Sequence, residues 1–381
     1  MKIMNIFMYY VTMLLFSVLI AQEGQSKISI QPFGESMEGK DVLLYTIKND
    51  NGMRVDITNY GATVVRLFVP DKDGQLSDIV LGYNTLGEYI ANSPYFGCIV
   101  GRFGNRIAHG TFSLNGKEFQ LAKNNEPGGI PCHLHGGVKG FDKRVWETKA
   151  VFDQERPGIE LHYLSEDGEE GYPGNLDVTV YYRLSENNEF IIEYSATADK
   201  PTPVNLTHHS YFNLQGEGNG DILDHILVLH ADHFTPVDTG LIPTGMIQPV
   251  KDTPFDFTSP HKIGKRIDYD NQQLRFGGGY DHNWVLGKKK NELIPAATVY
   301  EPSSGRFMEI WTTEPGLQFY SGNLLDGHII GKSGKAYPCR SGFCLETQHF
   351  PDSPNKENFP SVILNPGEVY KSSTIYRFSI K

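Results

Sequence analysis

The chain has 381 residues, of which 39% are hydrophobic and 21% charged, the profile of a soluble globular protein with a full-sized core rather than of a disordered one. Its formal charge of −11 argues against nucleic acid and against anionic membrane surfaces as partners, and is indifferent to a neutral small molecule.

The chain opens with Met1-Lys2, a mostly apolar run from Ile3 to Ile20, and Ala21-Gln22-Glu23-Gly24, which supply a short basic n-region, an h-region and a small residue at which cleavage could fall. Residues 1–21 are therefore read as an export signal, which places the mature protein in a periplasm or outside the cell with no stable membrane association. The run is just long enough for a retained anchor instead, and Leu19, two positions before Ala21, makes the cleavage site imperfect. Residues 22–39 are read as a lead-in. With no repeat, low-complexity tract or composition shift beyond them, residues 40–381 are read as a single domain.

Strand-like runs follow at Val42 to Ile47, Ala62 to Val69 and Ile159 to Leu164. Leu176, Val178, Val180, Tyr182 and Leu184 then alternate with Asp177, Thr179, Tyr181 and Arg183, as a half-buried strand requires. The pattern resumes after Ser185-Glu-Asn-Asn188 with Phe190, Ile192, Tyr194, Ala196 and Ala198, which predicts a hairpin. Phe307 to Thr312 and Thr374 to Ile380 complete the series. With 40 Gly, 22 Pro and no long stretch of 3.6-residue periodicity, the fold class is all-β, a large antiparallel β-sandwich with little helix. Four cysteines are too few and too irregularly spaced for a disulfide scaffold. Export would permit one bridge, for which Cys132 and Cys339, each after a proline, are the better candidates; Cys98 and Cys344 lie in apolar runs and read as small buried hydrophobes.

Several apparent motifs fail on spacing. Gly331-Lys-Ser333 has Asp326 where a phosphate loop needs glycine, Asp71-Lys-Asp-Gly puts Gly82 where a calcium loop needs glutamate, and no His-Glu-x-x-His occurs, so no cofactor or metal is indicated. The chemistry-bearing segment is Asn205-Leu-Thr-His-His-Ser-Tyr-Phe-Asn213, in which two adjacent histidines suit proton transfer better than a core. Its carboxylate partner is offered by Gly342-Phe-Cys-Leu-Glu346-Thr-Gln348, where an acid interrupts an apolar run; unpaired burial would be costly without a function to retain it. Taken singly, Arg106 would be a surface ion pair, His135 a loop-closing histidine and Asp281 a turn residue. Together they offer the donors and acceptors that a polyhydroxylated ligand demands.

GRFGNRIAHGTF (Gly101 to Phe112), HGGVKGFDK (His135 to Lys143), DGEEGYPG (Asp167 to Gly174), TPVNLTHHSYFNL (Thr202 to Leu214), GYDHNW (Gly279 to Trp284), GLQFYSGN (Gly316 to Asn323) and SGFCLETQ (Ser341 to Gln348) resemble the aldose 1-epimerase (galactose mutarotase) family. They run in the family's order over nearly all of the chain after about Lys40. The resemblance implies a single β-supersandwich and places Asn105, Arg106, His135, Asp281 and Gln318 at sugar-binding positions. It also gives His135 a supporting role near the anomeric oxygen. The family usually carries asparagine before its catalytic histidine, so His209 is the matching residue and His208 the departure. Adjacent strand residues face opposite ways, so His208 is expected at the surface or behind the site. Asn124 to Leu134 is longer and richer in Gly and Pro than the family's loop, which bears on the rim of the site.

Interconverting α and β anomers needs the anomeric hydroxyl deprotonated and the ring oxygen protonated. Glu346 as general base and His209 as general acid fit unperturbed values of about 4.3 and 6.5, with a nearby carboxylate expected to raise the histidine further. The expected substrates are free aldohexoses such as galactose and glucose, with no cofactor, and the expected state is a monomer or weak homodimer. Three alternatives compete. A non-catalytic carbohydrate-binding protein would not need both His209 and Glu346. A hexose-6-phosphate epimerase would need more cations than Arg102 and Arg106. A glycosidase could pair Asp281 with Glu346.

Overall fold

The computed structural model describes residues 27–153, 156–287 and 292–381. The expected signal at residues 1–21 lies outside them, and among the described residues no helix is long and apolar enough to cross a membrane.

Three antiparallel sheets carry the architecture. The largest has nine strands, in the spatial order Glu147–Asp153, Arg156–Ser165, Leu176–Leu184, Glu189–Ala198, Tyr370–Ile380, Arg306–Thr312, Ile294–Tyr300, Ile226–Leu229 and His261–Lys262. The expected hairpin is at its centre, with Leu184 opposite Phe190 and Leu176 opposite Ala198. A five-stranded meander runs in chain order through Ile28–Glu35, Asp41–Lys48, Arg54–Thr58, Thr63–Pro70 and Leu76–Asp78. The second five-stranded sheet has the order Gln248–Pro249, His233–Thr235, Asp281–Val285, Gly316–Tyr320, Cys344–Gln348. One apolar cluster joins all three: Val55, Ile57 and Val64 from the meander, Val178, Val180 and Ile192 from the large sheet, and Trp284, Leu317, Phe319 and Leu345 from the second five-stranded sheet. Such continuity is what a sandwich core requires, because each sheet must bury one apolar face against another.

Helix is scarce, as composition suggested. Leu86–Asn92 starts at a capping box between Thr85 and Glu88, and Gln272–Gly277 starts at Asn271 and ends on Gly278 in the left-handed region. All four cysteines are free, so the bridge that export would permit is not formed by its better candidates, Cys132 and Cys339. Cys132 is buried in the strand Cys132–Leu134, while Cys339 is exposed with Sγ 3.5 Å from the Asn323 carbonyl. Cys98 and Cys344 are buried as expected.

Candidate active site

Three strands of the second five-stranded sheet form the floor. Their register sets Asp281, Tyr320 and Cys344 in one row and Asn283, Gln318 and Glu346 in the next. Residues two apart on a strand share a face, so this polar face lies opposite Trp284, Leu317, Phe319 and Leu345, which enter the core. A one-residue slip would exchange the two sets.

One wall comes from the pairing of Arg106–Ala108 with Cys132–Leu134. Asn105 and His135, at φ 63° and 51°, both occupy the left-handed region. They lock each other: the His135 N–H donates to the Asn105 carbonyl at 3.1 Å, and the Asn105 N–H donates to His135 Nδ1 at 3.1 Å. Nδ1 is therefore an acceptor and the proton of the neutral ring sits on Nε2. Burial holds His135 well below the usual histidine value, with the neighbouring His209 and Arg106 adding to the shift. The long Asn124 to Leu134 loop is closed on itself: the Cys132 N–H donates to the Asn125 carbonyl at 2.8 Å, and Asn124 Nδ2 bonds the carbonyls of Leu134 and Gly137. It thereby delivers Asn125 Oδ1 to Arg106 Nε at 3.2 Å.

The other wall is the segment around His209, pinned by its N–H to the Cys98 carbonyl at 3.0 Å and by the Gly97 N–H to its own carbonyl at 3.0 Å. His208 and His209 diverge. His208 is buried among Tyr182, Phe190 and Tyr376, with Nε2 2.7 Å from Ser210 Oγ, so the surface alternative for it is corrected. Burial lowers it to about 3, and it is a neutral, satisfied core histidine. His209 turns into the cleft. Its Nε2 is 3.6 Å from Glu346 Oε1, its ring meets His135 edge-on at 5.1 Å, and the rings of Tyr95 and Tyr211 lie nearly parallel to it at 5.8 and 5.1 Å.

The cleft has a volume of about 250 Å³. Asn105, Arg106, His135, His209, Asp281 and Glu346 all line it. Gln318 lies in the floor and donates from Nε2 to Asp281 Oδ1 at 2.7 Å, while Arg106 Nη1 approaches Asp281 Oδ2 at 3.6 Å. Arg106 is thus a buried cation on the site rather than a surface pair. Two larger grooves, of about 630 and 610 Å³, contain none of these residues, so volume alone does not mark the site. Tyr95, Tyr211, Tyr320, Asn125 and Leu325 also line the cleft and were missed as site residues. Tyr211 and Tyr320 fall in the quoted stretches and could have been found there. Tyr95 could not, because its place depends on a φ of 67° that a tyrosine does not advertise.

Burial dominates the electrostatics. It pushes Glu346 well above the usual carboxylate range, Asp281 adds to this, and Arg106 opposes it. Burial lowers His209 to about 4, which corrects the expectation that its carboxylate neighbour would raise it. The reason is reciprocal: a carboxylate driven towards its neutral form has little charge to lend. The pair favours a single shared proton with both groups neutral, and the ionic arrangement differs from this only by moving that proton from Glu346 to His209. Glu346 Oε2 has no protein partner among the described residues and is the atom left for a ligand hydroxyl.

His135, His209 and Glu346 offer ligand atoms within 4.8 Å of one another, a spacing that a metal could span. The donor set does not fit one. The His135 Nδ1 is occupied by a backbone N–H, so Nε2 of the neutral ring bears a hydrogen and is left as a donor, suited to an oxygen bearing negative charge rather than to a metal ion. Nor does the site fit a phosphate. Arg102 is committed to the carbonyls of Pro173, Gly174, Ser165 and Glu166, which leaves Arg106 as the lining cation, itself paired with Asp281.

Comparison with known proteins finds relatives over most of the chain. The profile of the family described as Aldose 1-epimerase matches residues 43–377. The galactose mutarotase of Sus scrofa is 47% identical over 348 residues, 91% of this chain and 97% of the relative. The aldose 1-epimerase of Escherichia coli strain K12 is 38% identical over 343 residues, 90% and 96% of the two chains. Among solved structures, galactose 1-epimerase from Lactobacillus acidophilus NCFM superposes with a TM-score of 0.81 at 29% identity, covering 93% of this chain and 99% of that one. An aldose epimerase homologue from C. elegans gives 0.79 at 32% identity, covering 88% and 98%.

Proposed function

The chain belongs to the aldose 1-epimerase family and is an isomerase of aldose anomers; from that premise we propose that His209 and Glu346 are its acid and base and that galactose and glucose are among its substrates. The observation that carries the reading is the 3.6 Å approach of His209 Nε2 to Glu346 Oε1 inside a buried cleft lined by His135, Arg106 and Asp281.

Ring opening begins from the ionic arrangement. Glu346 takes the proton of the anomeric hydroxyl, the C1 to ring-oxygen bond breaks, and His209 gives its Nε2 proton to the ring oxygen. The open-chain aldehyde is then held by a neutral glutamic acid and a neutral imidazole, the pair of forms that burial favours. Rotation about C1–C2 presents the other carbonyl face. Closure returns both protons and yields the other anomer. No proton is gained or lost overall, and the His135 Nε2–H is placed to stabilise charge developing on the anomeric oxygen. Sugar hydroxyls on Glu346 Oε2 and the nearby Arg106 would favour the ionic arrangement needed at the start. Acid and base terms of roughly 10²–10⁴ each are the scale expected. Asp281 is held by Arg106 and Gln318, which suits it to fixing a sugar hydroxyl rather than to acting as a second catalytic carboxylate.

Polarimetry of freshly dissolved α-galactose and α-glucose, with the spontaneous rate subtracted, tests the function; rotation that relaxes no faster with enzyme than without would refute it. Residues 1–21 are proposed as an export signal, supported by their n-region and h-region pattern, and intact-mass analysis of protein recovered from cell fractions tests this. The protein is proposed to act as a monomer or weak homodimer, which sedimentation across a concentration series would check.

A further inference from the structure

The strand Cys344–Gln348 meets the ring of His209 at both nitrogens. Glu346 Oε1 stands 3.6 Å from Nε2, and Cys344 Sγ stands 3.6 Å from Nδ1. Cys344 and Glu346 are two residues apart on one strand, share a face, and are separated along it by about 6.6 Å, enough to bracket the edge of an imidazole. Both side chains are buried, Cys344 completely. The mechanism uses only the Nε2 edge, which leaves the Nδ1 edge and its thiol without a role.

We infer that Cys344 is a positioning residue for His209, its sulfur accepting a hydrogen bond from Nδ1–H and so holding the neutral tautomer whose bare Nε2 faces Glu346 and the sugar, ready to take up and return the travelling proton. Sulfur accepts weakly, but its distance lies within the range for a sulfur hydrogen bond, and the alternative tautomer would bring a hydrogen on Nε2 up against a protonated Glu346. The chemical point lies in what the thiol lacks. A carboxylate behind Nδ1 would stabilise the imidazolium and trap the proton, whereas the thiol fixes orientation without adding charge. Burial pushes the Cys344 thiol well up and keeps it neutral. The groups facing the His209 ring are then Glu346 and Cys344 from one strand, His135 from the opposite wall, and Tyr95 and Tyr211 stacked nearly parallel. This inference rests on the acid and base roles proposed for His209 and Glu346.

The test compares Cys344→Val, which nearly preserves volume but removes the acceptor, with Cys344→Ala and Cys344→Ser, using galactose anomerisation across pH. Val and Ala are expected to lower kcat about tenfold with KM within about twofold, and to move the acid limb to lower pH because the imidazolium loses a partner. Ser, whose hydroxyl can accept from Nδ1–H, is expected to recover most of kcat. The inference is overturned if Val or Ala keeps parental kcat and pH profile. It is equally overturned if Ser is as slow as Val while melting at the parental temperature, since shape alone would then explain the loss. Failure of the underlying acid and base reading shows separately, as parental turnover in Glu346→Gln or His209→Asn.

Discussion

The nine-stranded sheet and the sheet that carries Glu346 use their two faces differently. In Leu176–Leu184 the buried Leu176, Val178, Val180 and Tyr182 alternate with exposed or half-buried Asp177, Thr179 and Tyr181, so along most of the strand one face serves the core and the other meets water. In Cys344–Gln348 all five residues are buried, and so are all five in Gly316–Tyr320. The second face there is polar and still dry. That face costs stability, because Glu346 and His209 are held where their charged forms are disfavoured, and the same dryness strengthens every interaction with a developing charge. The large sheet is a scaffold, and the smaller sheet holds the chemistry.

The sharpest way to break this division is to neutralise the dry face. Glu346→Gln and His209→Asn each remove a proton-transfer group and little volume, and each is expected to lower kcat for anomerisation by about 10² or more while the fold survives. Near-normal turnover by either, at matched protein concentration and with parental circular dichroism, would leave the polar face without a catalytic purpose.

The pH dependence of the rate sharpens the same contrast. The active pair holds one proton, so kcat/KM should fall on the acid side as a second proton reaches His209, which burial has lowered to about 4, and on the alkaline side as the shared proton leaves. Each limb approaches tenfold per pH unit. A rate climbing steadily into alkali would show that the shared proton is not required.

Val180 tests the other region. It is fully buried, lies between Leu161 and Tyr194 in neighbouring strands, and touches nothing in the cleft. Val180→Ala should cost about 2 kcal/mol in denaturant unfolding, from lost transfer energy and the gap left behind, with kcat within about twofold of the parent. A large fall in kcat at unchanged fold would mean that the two sheets are not separable in this way.

The fold was legible where water touches one face of a strand. The Leu176–Leu184 and Glu189–Ala198 hairpin declared itself because Asp177 and Thr179 alternate with Leu176, Val178 and Val180, and the contrast resumes after the turn. The strands of the site sheet did not, since burial on both faces erases the two-residue contrast and leaves a short polar and apolar mixture such as Asp281–Val285. Asn105, Arg106, His135, His209, Asp281, Gln318 and Glu346 were legible as a set through resemblance, and the structure brings them together. Their protonation was not legible. The residue types suggest an ionised glutamate beside a charged histidine, and only the depth of burial reverses that order. Tyr95 and the Cys344 contact depend on backbone conformation and cross-strand register, which the order of residues alone does not display.

A smaller effect follows from linkage. Burial raises Glu346, so the folded state binds a proton there more tightly than the unfolded chain does. Its contribution is fully present below the unfolded value near 4.5 and is lost as pH rises towards the folded one. Glutamine has no charge to pay for, so Glu346→Gln should melt higher than the parent at pH 8, by a margin that shrinks towards pH 4. A margin that grew on acidification would show that the carboxylate is stabilised, not strained, by its surroundings.

The smallest expected effect concerns the residue beside the catalytic histidine. His208→Asn makes the same chemical replacement as His209→Asn one position earlier, but the side chain there points among Tyr182, Phe190 and Tyr376 and bonds Ser210 and Tyr182 instead of facing the sugar. Its ring is neutral, so removing it takes no charge from the site, and an amide can still bond the Ser210 hydroxyl. The loss is packing against three aromatic rings, about 1–2 kcal/mol of stability, with kcat within about threefold of the parent. The two asparagine variants measured side by side at one pH therefore separate position from chemistry. Equal damage from both would mean that the divergence of His208 from His209 does not hold in solution, and the choice of His209 over His208 would have to be abandoned.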